Sequence, residues 1–130
     1  MLEGGCYCGK VRYRLEGETA HIALCHCADC RRHAGAPVVC WAAVKADQFT
    51  VSGEVRTFAS SEHGRRQFCP TCGTGLFYLN SAALPGLVDV QTGTLDDPEA
   101  LPPSAHIQAA ERLKWMSGID DLPAFERYPG

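Results

Sequence analysis

This chain of 130 residues has no apolar run long enough to cross a bilayer, no internal repeat, no low-complexity tract and no stretch with the composition of an interdomain linker. A spanning helix needs about 20 mostly apolar residues, so no membrane association is expected. Met1-Leu2-Glu3-Gly4-Gly5 lacks the basic start and apolar stretch of a secretory leader, which makes a cytoplasmic location the expectation. An excess of positive charge is missing as well: 12 Lys and Arg stand against 15 Asp and Glu, for a formal net charge of −3. Binding along a phosphate backbone draws on a basic surface, so no nucleic-acid partner is expected. Disorder is excluded from the other direction, because 45% of the residues are hydrophobic and only 21% are charged. The length fits one domain with a modest core, and residues 1–130 are read as a single domain. The pattern carries no signal of oligomeric state.

Against these absences stand eight cysteines, seven of them in the groups Cys6-Tyr7-Cys8, Cys25-His26-Cys27-Ala28-Asp29-Cys30 and Cys69-Pro70-Thr71-Cys72. A reducing compartment leaves such thiols free for metal rather than for a disulfide framework. In an extended segment, residues two apart project from one face, so Cys6 and Cys8 can reach one ion, and likewise Cys25 and Cys27. Cys69 to Cys72 has the spacing of a zinc knuckle, and Gly73 supplies the positive φ that such a turn needs. Zinc is the expected metal. Seven thiols do not divide into two closed sets of four, so one site falls a cysteine short unless His26, His33 or Cys40 completes it.

The spare candidates are weak. His26 lies between Cys25 and Cys27 and should face the opposite way in an extended segment, which suits a packing or supporting role. Cys40 sits in the apolar run Val38-Val39-Cys40-Trp41 and reads as a small core hydrophobe. His21, His63 and His106 stand alone. Spacing leaves open which of the paired groups joins Cys69 and Cys72.

The elements are expected to be mostly β. Lys10 to Leu15 alternates polar and apolar as a strand with one buried face does, and His21 to Leu24 carries a second strand into the Cys25 group. Ala28 to His33 suits a helical turn that brings Cys30 back toward Cys25 and Cys27. Val38 to Val44, Phe49 to Val51, Val55 to Ala59 and Leu87 to Thr92 read as further strands. Arg66 to Cys69 and Leu76 to Leu79 form a hairpin whose turn is the metal loop. From Ala105 to Met116 the pattern fits an amphipathic helix or a short strand at His106-Ile107 followed by a turn, and the strand and turn are favoured.

Gly5-Cys6-Tyr7-Cys8-Gly9-Lys10-Val11-Arg12-Tyr13, Cys25 through Arg32, Gly35-Ala36-Pro37, Phe68-Cys69-Pro70-Thr71-Cys72-Gly73-Thr74 and Gly93-Thr94-Leu95-Asp96-Asp97-Pro98 together carry a resemblance. With His106-Ile107, Trp115 and Leu122-Pro123 in the expected order, the chain resembles the glutathione-dependent formaldehyde-activating enzyme family, which includes centromere protein V. The resemblance implies a mostly β, tent-like fold of small antiparallel sheets with a few short helical turns. It implies two Zn2+ sites: a structural zinc on Cys6, Cys8, Cys69 and Cys72, and a second, open zinc on Cys25, Cys27 and Cys30. Cys40 is an extra thiol, and Gln108-Ala109-Ala110 is smaller and more polar than the family pattern.

The implied activity is that of a carbon-sulfur lyase in which a small anionic thiol such as glutathione binds the open zinc and adds to, or leaves, a small aldehyde such as formaldehyde. The alternative is a zinc-stabilised binding module without catalysis. Arg31 and Arg32, directly after Cys30, are candidates for substrate carboxylates. Arg65-Arg66 reads as a solvated pair, and Asp96-Asp97-Pro98 as turn chemistry. Beyond the open zinc site, no catalytic residue is assigned.

Overall fold

A computed structural model describes residues Met1–Gly130. Ten strands and one α-helix follow in chain order: β1 Leu2–Gly5, β2 Arg12–Leu15, β3 Thr19–Cys25, α1 Ala28–Ala34, β4 Val39–Lys45, β5 Phe49–Ser52, β6 Arg56–Ala59, β7 Gly64–Phe68, β8 Gly75–Asn80, β9 Leu87–Gln91 and β10 Ala105–Ile107. The fold is mostly β, as the strand-length alternations require. Strands β1, β2 and β5 form one three-stranded sheet, and the other seven form a second in the order β10-β3-β4-β9-β8-β7-β6. All pairings are antiparallel except one: β10 runs parallel to β3, with His106 opposite Leu24.

Period-two alternation decides which side of each strand is covered. In β2, Tyr13 and Leu15 are buried, and in β9 Val88 and Val90 enter the same core, which places Asp89 on the other face of that strand. This core also takes Val11, Val44, Leu76, Phe77 and Leu95, so it fills the space between the two sheets. Phe77 is 1% exposed and meets Tyr13 edge-on at 5.3 Å and Phe49 at 4.9 Å between ring centres. Full burial of one such ring contributes on the order of 2–3 kcal/mol. A smaller cluster of Cys25, Cys30, Val39 and Trp41 lies beneath α1.

Strand β1 has no counterpart among the sequence expectations. Its Gly4 and Gly5 lower strand propensity, yet Gly4 is required: a Cβ there would collide with the Tyr13 ring. The segment after β10 contains the expected turn, but as 3-10 helices at Ala109–Glu111 and Lys114–Asp121. No helix is long and apolar enough to cross a membrane.

Candidate metal centres

Cys6 and Cys8 leave β1 on a turn rather than in the extended segment that their spacing suggests. The Cys6 amide donates to Val11 O at 3.0 Å and the Gly9 amide to Cys6 O at 3.1 Å, and this closure brings the two sulfurs to 3.6 Å. The second pair comes from the β7–β8 hairpin. Its turn is closed by the Cys69 amide on Thr74 O at 3.0 Å and the Gly73 amide on Cys69 O at 2.9 Å, with Gly73 at φ +80°. Tyr7 N donates to Thr74 Oγ1 at 3.1 Å and ties the two loops together. Cys8 Sγ then lies 3.8 Å from Cys69 Sγ, and the sulfurs of Cys6, Cys8, Cys69 and Cys72 all fall within 4.8 Å of one another.

Four sulfurs held tetrahedrally at about 2.3 Å from a zinc ion stand about 3.8 Å apart, so this donor set fits that ion. A disulfide needs about 2.05 Å, and all eight cysteines are free. Backbone amides point at the sulfurs: Val11 N at 3.2 Å from Cys6 Sγ and Cys72 N at 3.5 Å from Cys69 Sγ. The Thr74 hydroxyl, 3.2 Å from Cys72 Sγ, together with the amides of Thr74 and Cys8, brings the Cys72 thiol down to about 5. Donors aimed at sulfur favour the thiolate that a metal requires.

The other group closes through α1. Cys25 ends β3, Cys27 caps the helix by accepting from Cys30 N at 3.2 Å, and Cys30 turns inward from the first turn to 3.6 Å from Cys25 Sγ. Gly35 ends the helix in the left-handed conformation at φ +67°. The sulfurs of Cys25, Cys27 and Cys30 lie within 4.8 Å of one another, and no fourth Cys, His, Asp or Glu joins them. Burial, with the neighbouring Cys30 adding to it, pushes the Cys25 thiol up to about 12, and burial raises the Cys30 thiol too, so a cation is needed to hold these two sulfurs as thiolates. Two cysteine clusters that can each hold a metal ion are therefore present, one of four sulfurs and one of three.

The three-sulfur cluster has one buried cation beside it, and it is a residue that sequence reasoning placed in solvent. Arg66 is 6% exposed, its Nη1 and Nη2 each lie 3.8 Å from Cys30 Sγ, and its guanidinium stacks 4.7 Å above the Tyr78 ring. The pair Arg31-Arg32 is split by helical geometry. Arg32 is exposed and faces a cleft with Asp29 and His33, whereas Arg31 does not line that cleft and its Nε is buried without a partner. Arg65 stays near the surface, its Nη1 donating to backbone oxygens of Ser61, Glu62 and Gly64.

His26 does point away from the sulfurs, and it is 1% exposed. Its Nε2 meets His106 Nδ1 at 2.8 Å, and its amide donates to Ile107 O at 3.1 Å. Burial, then Arg112 and His106, lower the His26 pKa and keep the ring neutral. His106 is therefore not isolated, because the parallel pairing of β10 sets it beside the cysteine loop. Cys40 is half-buried and belongs to neither cluster. Asp96 does more than turn the chain: its two oxygens hold Arg12 in a bidentate pair.

Comparison with known proteins shows the family and the fold. The profile of the "Glutathione-dependent formaldehyde-activating enzyme" family covers residues 1–111. An uncharacterized lyase of Schizosaccharomyces pombe is 29% identical over 76 residues, a match that takes in 58% of this chain and only 56% of that protein's length. A Halomonas elongata protein, provisionally named a glutathione-dependent formaldehyde-activating enzyme, is 27% identical over 126 residues, covering 89% of this chain and 80% of the relative. A crystal structure of a Rhodobacter sphaeroides protein superposes with a TM-score of 0.65 at 22% identity, over 81% of this chain and 99% of that one, and shows the same fold. With the family profile running through both cysteine clusters, the chain belongs to the glutathione-dependent formaldehyde-activating enzyme family.

Proposed function

We propose that residues 1–130 form a single zinc-binding domain that works as a cytoplasmic carbon-sulfur lyase, with structural zinc on Cys6, Cys8, Cys69 and Cys72 and the chemistry at Cys25, Cys27 and Cys30. The observation that carries this reading is the unequal donor count: four sulfurs close one site, while three leave the other a ligand short. Cys25, Cys27 and Cys30 would hold the zinc, and the metal would supply a place where an external thiol such as glutathione is kept deprotonated. The thiolate sulfur attacks the carbonyl carbon of formaldehyde, the π pair moves to oxygen, and a proton from water completes the S-hydroxymethyl adduct. In reverse the carbon-sulfur bond breaks and the thiol returns. No electron is gained or lost overall.

The chain's own residues hold that chemistry in place. With a divalent cation held there, the three thiolates would leave one net negative charge, and an incoming thiolate would add a second. Arg66, buried beside Cys30, offsets that charge where water does not. Trp41 and Tyr78 wall the cluster, and the His26–His106 bond fixes the loop that carries Cys25 and Cys27.

The test is exchange NMR of glutathione with formaldehyde at equilibrium, which reads adduct formation and breakdown directly. The zinc-loaded protein is expected to accelerate exchange, and a folded Cys27→Ser variant is expected to abolish the acceleration. Exchange at the uncatalysed rate with the wild type would overturn the lyase reading.

A further inference from the structure

Register in the large sheet sets Phe58 of β6, Arg66 of β7 and Tyr78 of β8 side by side. Against this row, α1 presents Asp29, Arg32 and His33, and the space between is a cleft of about 270 Å³ that also touches Ser60. The cleft opens directly beside the three-sulfur cluster, because Arg66 lines it and also reaches Cys30 Sγ at 3.8 Å. A guanidinium carries five N–H donors, yet the side-chain hydrogen bonds of Arg66 are two long ones to a single sulfur. The ion pairs of the chain are Arg12–Asp96, Arg14–Glu3 and His63–Glu62, and none includes Arg66 or Arg32. Beyond the Cys30 sulfur, whose charge it offsets, Arg66 therefore keeps donors free for a second anion.

We propose that this cleft is a carboxylate subsite, in which Arg32 and Arg66 hold the acidic end of a thiol whose sulfur is presented to Cys25, Cys27 and Cys30. The proposal rests on the lyase reading and narrows its substrate class to thiols that carry a carboxylate a few bonds from sulfur. Two guanidiniums outweigh the one carboxylate, Asp29, that shares the cleft. Burial, then Arg66, lower the His33 pKa, so that ring adds no third cation at neutral pH. The Ser60 hydroxyl offers a further donor, and Phe58, 58% exposed, gives the carbon chain an apolar wall. Helical spacing explains why Arg32 and not Arg31 takes part: Asp29, Arg32 and His33 are three and four residues apart on one face.

The experiment uses the full chain with cobalt in place of zinc and follows the thiolate-to-cobalt absorption during titration with 3-mercaptopropionate, 2-mercaptoethanol and cysteamine. The anionic thiol is expected to bind about tenfold more tightly than the neutral one, with the cationic one weakest. Arg32→Gln, an exposed and structurally tolerant change, is expected to erase that advantage while 2-mercaptoethanol binds as before. Equal affinities for the three thiols, or an advantage that survives Arg32→Gln, would overturn the subsite. A second arm separates this failure from failure of the lyase reading: 3-(methylthio)propionate has no thiol, and its carboxylate is expected to shift the amide resonances of Arg32 and Ser60 in wild type and not in Arg32→Gln. Cobalt absorption indifferent to every thiol would sink the lyase reading alone. Unmoved amides with the methylated acid would overturn the subsite alone.

Discussion

Cys69 and Cys30 are both buried thiols, yet they hold different things together. Cys69 is fully buried in the main core and lies 3.8 Å from Cys8, a residue 61 positions away, so a metal there clasps the turn after β1 to the β7–β8 loop. Cys30 belongs to one short helix and the strand before it. Where metal joins distant segments its binding is folding free energy, on the order of 10 kcal/mol for a structural zinc. Cys69→Ser is therefore expected to abolish cooperative thermal unfolding at ordinary temperatures. Cys30→Ser should lower the midpoint by only a few degrees and lose one metal. Circular dichroism melts with metal analysis on both variants check this, and indistinguishable melts would contradict the division of labour.

Asp89 gives a pH signature of its own. Burial, partly offset by His21, raises its carboxyl to about 6, and its Oδ1 has no hydrogen-bond partner. The unfolded chain thus gives up this proton at lower pH than the folded one, and stability present below the unfolded value near 3.8 is lost as pH rises through about 6. Asp89→Asn, uncharged and of the same shape, is expected to stabilise the protein by ~2–3 kcal/mol above pH 6.5 and by about half as much at pH 5. Urea unfolding at the two pH values, with zinc saturating, measures the difference. An increment that does not shrink on acidification would contradict the assignment.

At the scale of elements, β10 is the strand whose contribution is least obvious. It is three residues long and runs parallel to β3, and it places His106 against His26, 80 positions away. His106→Ala removes the Nε2 partner of a buried imidazole, at an expected cost of ~1–2 kcal/mol. It should also speed metal loss from the Cys25 loop to a chelator severalfold, with no change at the four-sulfur site. Equal release rates from both sites would show that β10 has no hold on that loop. Gly53 makes a second elemental prediction. At φ +93°, just beyond β5, it passes so close to Lys10 that a Cβ would strike the Lys10 carbonyl, so Gly53→Ala is expected to destabilise by ~1–3 kcal/mol in thermal melts.

The same two features explain what the chain makes legible before it folds. Local geometry is written in spacing: the knuckle with Gly73, the helical turn that returns Cys30, and the alternation that buries Tyr13 and Leu15 are all set within a few residues. Arg66 on Cys30, His106 on His26 and Asp96 on Arg12 are 36, 80 and 84 residues apart, and they meet only through tertiary packing: α1 against the sheet, β10 beside β3, and the loop after β9 against β2. A lone Arg or His carries no mark of such a partner. Strand β1 was hidden for a different reason: of the two glycines that weaken its pattern, Gly4 admits the Tyr13 ring and Gly5 passes close to Val11 O.

Over the whole molecule, the two cysteine clusters occupy unlike positions. The four-sulfur cluster contributes Cys6 and Cys69 to the core between the sheets, while the three-sulfur cluster packs with Trp41 and Val39 under α1, facing Arg66. On the proposed reading, the first holds the fold and the second meets a ligand. Metal stoichiometry of the purified protein, followed by chelator and then by glutathione titration of the cobalt-substituted form, tests that inequality most directly. Two metals per chain are predicted, one inert and one labile, with only the labile one changing its absorption when glutathione is added and losing that response in Cys27→Ser. Two equally inert metals, with no spectral response to thiol, would contradict the account and leave a zinc-stabilised binding module in its place.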